Sequence, residues 1–192
     1  HFINNDCKLY AYEPQKKMFG LLKKNIFENN LENKIIPFNS GLFCYNGIAT
    51  MNNVDIDGGG GIVSERYENT NLNCNFGGIC LGKDGEMIDI KMLDSLEHDN
   101  IGFIHCDAQG AENFIFSTGK EFIEKNRPVI FFENNKKYAK YLYDNVCLNY
   151  KQYSENADFD IINYCVNKLN YYIIERFNGG NDDLLIPYQY NS

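Results

Sequence analysis

The chain has 192 residues, of which 44% are hydrophobic and 15% aromatic, so its composition is that of a folded domain rather than a disordered one. Its formal net charge of -8 argues against non-specific nucleic-acid binding, which needs a basic surface, and no run of eighteen apolar residues marks a membrane-spanning helix. Seven cysteines, an odd number at scattered spacings with no CxxC pair, predict free thiols, a reducing cytoplasmic setting and no zinc site.

The sequence opens at His1, not methionine, and with no signal-peptide pattern. It is expected to be a processed or trimmed part of a longer product. Lys8 to Tyr12 alternates as a strand and ends in Glu13-Pro14, with a helix expected from Gln15 to Asn29 on the spacing of Met18, Phe19, Leu21, Leu22 and Ile26. Lys34 to Asn39 is a second strand, ended by Ser40-Gly41. Leu42 to Met51 reads as a hairpin turning at Asn46-Gly47. Asn52 to Gly82 is a long glycine- and asparagine-rich connection that fits no phosphate-cradling pattern; a substrate-covering loop and a plain insertion are both open readings.

A strand follows at Met87 to Lys91, then a turn of helix at Leu93-Asp94-Ser95-Leu96. The central feature is Ile101 to Glu133. An apolar run ends in Asp107, helical sequence from Ala111 to Ser117 and from Gly119 to Lys125 intervenes, and a second apolar run ends in Glu133. In open α/β sheets ligands bind beyond the carboxyl ends of the strands, so this stretch reads as the rim of a site. Asn135 to Asn149 is amphipathic, Ala157 to Leu169 reads as a helix, and Tyr171 to Phe177 with Leu184 to Ile186 predicts a closing antiparallel pair. His105 is expected to be a buried histidine of its strand, and His98 a surface residue.

Several of these segments resemble FkbM-type methyltransferases. They are Tyr10-Ala11-Tyr12-Glu13-Pro14 with Leu21-Leu22-Lys23-Lys24-Asn25, Asn75-Phe76-Gly77-Gly78, and Leu93-Asp94-Ser95-Leu96. Further along come Phe103-Ile104-His105-Cys106-Asp107-Ala108-Gln109-Gly110-Ala111-Glu112, Arg127-Pro128-Val129-Ile130-Phe131-Phe132-Glu133 and Asp183-Leu184-Leu185-Ile186-Pro187. The ordered set covers nearly the whole chain. The resemblance implies a Rossmann-like class I fold, a mostly parallel sheet with an antiparallel strand near one edge. It implies S-adenosylmethionine as cofactor and O-methylation of a sugar or other small hydroxylated acceptor.

The family's first strand and glycine loop should precede Lys8 and are missing here, so residues 1–192 are expected to form one N-terminally incomplete domain. His105 also stands where the family commonly has lysine. Carried over by position, Glu13 would hold the ribose hydroxyls, Ser40 or Gly41 would lie near the adenine, and Asp107 would stand beside the methyl donor, with Gln109 and Glu112 within a turn of it. Asp107 could instead cap the helix that follows it. No metal is assigned. The missing glycine loop leaves a second reading open, a methyltransferase-like fold kept as a structural or interaction module. No Rossmann fingerprint supports a nucleotide-dependent oxidoreductase, and no Gly-x-Ser-x-Gly elbow supports a serine hydrolase.

Overall fold

The computed structural model describes residues 7–53, 78–134, 153–176 and 181–188, with single positions at 140 and 144. It is a mixed α/β arrangement whose strands fall into three hydrogen-bonded groups.

The first group is a β–α–β unit. Strand β1 (Leu9–Tyr12) runs parallel to β2 (Ile35–Phe38), Leu9 opposite Ile35 and Tyr12 opposite Phe38, with helix α1 (Lys16–Glu28) between them in sequence. A helix start leaves backbone N–H groups without partners. Here two carboxylates take them: Glu13 accepts from the Gln15 amide at 2.7 Å, and both oxygens of Glu86 accept from the Lys16 amide at 3.3 Å. The helix stops where Asn30 turns left-handed at φ 54°.

The second group corrects the expected hairpin. Strands β3 (Gly41–Leu42) and β4 (Gly47–Thr50) do not pair with each other. Strand β5 (Met87–Lys91) lies between them, parallel to β3 and antiparallel to β4. The Asn46 side chain explains why Asn46-Gly47 fails as a tight turn. Its Oδ1 accepts from the Met92 amide at 2.8 Å and from the Ser95 hydroxyl at 2.9 Å. The would-be turn is thereby drawn onto the 3-10 segment Leu93–Ser95, and Phe43 N–H donates to the Lys91 carbonyl at 2.8 Å. Most of the long connection, 54–77, lies outside the described residues, as does Asn75-Phe76-Gly77. Its two ends are tied together by the Met51–Leu81 bridge.

The third group carries the main core. Strand β6 (Phe103–Cys106) is parallel to β7 (Val129–Glu133). Strand β9 (Asp182–Pro187) is antiparallel to β7, and β8 (Tyr171–Ile174) pairs antiparallel with β9 at the edge. The closing antiparallel pair thus forms as its sequence indicates. Helices α2 (Glu112–Ser117) and α3 (Lys120–Asn126) follow β6. Helices α4 (Ser154–Ala157) and α5 (Ile161–Leu169) precede β8. The helix expected from Ala157 starts four residues later because the Asp160 carboxylate accepts from the Asn163 amide at 2.9 Å and sets the N-cap there.

Strand alternation sends Ile130, Phe132, Leu185 and Tyr171 to one face, where Phe114, Phe116, Ile123, Ile161 and Cys165 of the helices meet them. Full burial of a side chain such as Phe132 stabilises the fold by about 2–3 kcal/mol. Of the amphipathic stretch 135–149, only Lys140 and Asp144 are among the described residues. No described helix is long and apolar enough to cross a membrane.

Candidate active site at the strand ends

Two strand ends meet at one cavity. Its volume is about 320 Å³, and its lining includes Tyr12, Glu13 and Gly41 on one side and His105, Asp107 and Gln109 on the other. β1 delivers Glu13 at its carboxyl end, and β6 delivers Asp107 at the same position on a different strand.

Glu13 is half-buried. Burial raises its carboxyl above the usual range, the Gln15 N–H opposes the rise, and the Glu86 charge adds to it. Gly41 lines this cavity, but its neighbour Ser40 does not. Ser40 is buried and lines a second cavity, so the pair treated together in sequence is divided between two sites.

After Asp107 the chain turns sharply. Gln109 and Gly110 both adopt positive φ, 51° and 90°, which folds the strand end back towards α2. Gln109 donates from Nε2 to Asp107 Oδ1 at 3.0 Å. Asp107 is exposed and does not cap α2, whose N-cap is Ala111. The carboxylate that meets the turn is Glu112, which accepts from the Ala108 amide at 2.7 Å.

Glu112 is only 4% exposed, and its carboxyl is raised to about 7. Burial is the main cause. The Ala108 and Glu112 N–H groups lower the value, and the charges of Glu133 and Asp107 raise it. Asp107, Glu112 and Glu133 each offer an oxygen, and these oxygens lie within 4.8 Å of one another, so the set could hold either a shared proton or a cation. Glu133 was not among the sequence-derived site residues. Its signal was the second apolar run ending in a carboxylate. The parallel register sets Cys106 opposite Phe132, which makes Asp107 and Glu133 neighbours at adjacent strand ends.

His105 reverses its expected setting, and His98, expected at the surface, is partly covered. His105 is exposed, faces the cavity and stacks on Phe131 at 5.2 Å, because Ile104 and Cys106 take the core face of β6. His98 is half-buried. It stacks on Tyr10 at 3.9 Å and shares a 2.8 Å hydrogen bond with the Tyr12 hydroxyl.

No family model matches this sequence, and no curated protein matches it. Among solved structures, the chain is similar to the methyltransferase FkbM from Methylobacillus flagellatus KT. The TM-score is 0.50 at 13% identity, over 93% of this chain and 36% of that one. This chain therefore spans little more than a third of that protein's length. At such identity the likeness is one of fold: the chain has a methyltransferase-like α/β fold.

Proposed function

We propose that this chain is the core of an S-adenosylmethionine-dependent methyltransferase of FkbM type, acting on a hydroxyl oxygen of a sugar or other small hydroxylated acceptor. The observation that carries the reading is the convergence of Glu13 and Asp107 on one cavity at the ends of two parallel-type strands. The fold likeness supports it. The strand order β6-β7-β9-β8, with its antiparallel insertion next to the edge, agrees with a class I sheet.

The residues present suit the cofactor. Glu13 could accept from two vicinal hydroxyls with its two oxygens, Gly41 with Pro14, Ile88 and Ile90 around it would offer an apolar wall to the adenine, and the acidic lining would favour a cationic sulfonium. The cofactor, when bound, supplies the methyl group. The chain's own part is to position the groups that react, since holding donor and acceptor in line removes much of the barrier. Asp107, held by Gln109, orients the acceptor hydroxyl. Asp107 lines the cavity and would take the acceptor's proton; Glu112, raised to about 7 and outside the cavity lining, lies next to it in the carboxylate cluster.

One observation favours the alternative of a non-catalytic module. Among the described residues, β1 and β6 belong to separate hydrogen-bonded groups, and no strand joins them. Isothermal titration of the protein with S-adenosylmethionine decides between the two. Saturable binding that Glu13→Gln weakens is the expected result, and no heat of binding overturns the catalytic reading.

A further inference from the structure

A second cavity, of about 620 Å³, takes in Ser40 and the outer face of the three-stranded group, away from Glu13 and Asp107. The side chains of Asn39, Asn46 and Ser95 in its lining are hydrogen-bonded within the chain, whereas those of Ser40, Asp89 and Lys91 are not so used among the described residues. Ser40 is 6% exposed, yet its hydroxyl makes no hydrogen bond to another described residue while lining the cavity. Asp89 and Lys91 lie two residues apart on the exposed face of β5, where strand periodicity points both the same way. Neither has an oppositely charged partner within 4.0 Å among the described residues, although both line this cavity. Phe38 and the half-exposed Ile48, which stands opposite Asp89 in the register, provide apolar walls.

The charges of this lining cancel, with one carboxylate against one ammonium. An anion would gain from Lys91 and lose to Asp89, and a cation would meet the reverse. A hydroxyl-rich neutral molecule uses both, because each hydroxyl can donate to the carboxylate and accept from the ammonium. Adjacent hydroxyls can engage both Asp89 oxygens, and the buried Ser40 hydroxyl adds a donor and an acceptor at the floor. Few convergent polar groups beside apolar walls are the usual make-up of a small-molecule site.

We propose that the cavity between Ser40 and the Asp89–Lys91 face binds an uncharged, polyhydroxylated ligand. This site is separate from the strand-end cavity and does not depend on the methyl-transfer reading.

Amide chemical-shift titration of the isotopically labelled chain tests it. The neutral probes are methyl α-D-glucopyranoside and myo-inositol, and the charged ones are glucose 6-phosphate, glucosamine and glycine. Saturating shifts at the Ile48, Lys91 and Ser95 amides with at least one neutral probe are expected, with the charged probes much weaker. Asp89→Asn and Lys91→Gln, both on an exposed strand face, should each weaken the binding about tenfold without changing the rest of the spectrum. Ser40→Ala should weaken it as well. The proposal is overturned if no neutral probe saturates these amides at tens of millimolar, if any charged probe binds as well, or if both β5 variants bind unchanged.

Discussion

The carboxylate of Glu112 reaches back to accept a hydrogen bond from the amide of Ala108 at 2.7 Å, within a site where Asp107 and Glu133 bring two further negative charges. Burial and those charges raise the Glu112 carboxyl from its ordinary 4.5 to about 7. The folded chain therefore holds this proton more tightly than the unfolded chain. The resulting stability is complete below pH 4.5 and is lost as pH rises through 7. The loss is about 3 kcal/mol at most. Glu112→Gln keeps an oxygen for Ala108 and removes the charge. Urea denaturation should show the variant more stable than the parent at pH 8 and close to it at pH 5. An unchanged difference between the two pH values would contradict the buried-proton account.

His98 works with the opposite sign. Burial lowers its pKa, with Lys91 adding to the effect and Asp99 and the Glu97 backbone opposing it. The folded chain prefers the neutral ring, so this contribution is present above pH 6.5 and declines as pH falls below it. The ring lies against Tyr10 and Tyr12, and burial raises the Tyr12 hydroxyl to about 12, so that hydroxyl stays protonated throughout this range. Protection factors at the β1 amides, taken against the intrinsic exchange rate at each pH, should fall between pH 7 and pH 5. In His98→Phe, which keeps an aromatic ring without a titrating group, that pH dependence should disappear.

These two residues show what the sequence could and could not convey. Strands and helices were legible where periodicity and stop signals agreed, as in β1, α1, β5 and the closing pair β8–β9. The hairpin at Asn46-Gly47 was misread because a local turn signal lost to a non-local one, the Asn46 side chain bonding to Met92 and Ser95 some 46 and 49 residues away. Glu13 and Asp107 were legible as carboxylates at strand ends. The nearness of Glu133 to Asp107 was not, since it depends on the register between β6 and β7. His98 lies in the connection before β6, and its setting depends on its long-range contacts with Tyr10 and Tyr12. The setting of His105 depends on which sheet face is covered, and alternation alone does not say which face that is. Ser40 and Gly41 diverge for a similar reason: neighbours on an extended segment face opposite ways.

Two glycines make a paired prediction about packing. A Cβ on Gly119 would lie 2.4 Å from Leu93 Cδ2 and 3.0 Å from its Cγ, and Leu93 is buried beneath the start of α3. Gly119→Ala should therefore destabilise by about 1–3 kcal/mol, as overpacking does. Gly20 lies inside α1 with nothing within 4 Å of an added Cβ. Gly20→Ala should stabilise by about 0.5–1 kcal/mol, through helix propensity and the unfolded chain. Thermal denaturation of both variants checks the pair, and a stabilising Gly119→Ala would show that Leu93 moves aside.

Glu13 is where the proposed cofactor role and a structural role can be separated. Its carboxylate accepts from the Gln15 amide at 2.7 Å, so simple truncation would disturb the start of α1 as well as any ligand. Glu13→Gln leaves an acceptor oxygen for that amide and has the same length. It loses the negative charge and the second acceptor oxygen that a pair of ribose hydroxyls would use. If Glu13 serves only the helix, the Gln variant should match the parent in both stability and ligand binding. If it also holds the cofactor, stability should change little while affinity for S-adenosylmethionine falls about tenfold, the worth of one charge-assisted hydrogen bond. Because burial raises the Glu13 carboxyl, the parent should also bind more weakly as pH falls through that raised value, and the Gln variant should not follow. Asp107→Asn provides the contrast: its side chain is exposed and hydrogen-bonded to Gln109, so its loss should leave the start of α1 and the ribose contacts intact. Turnover should drop in that variant while cofactor affinity changes less than in Glu13→Gln. Equal losses of affinity in both variants would mean that the two strand ends do not divide the work between cofactor and acceptor.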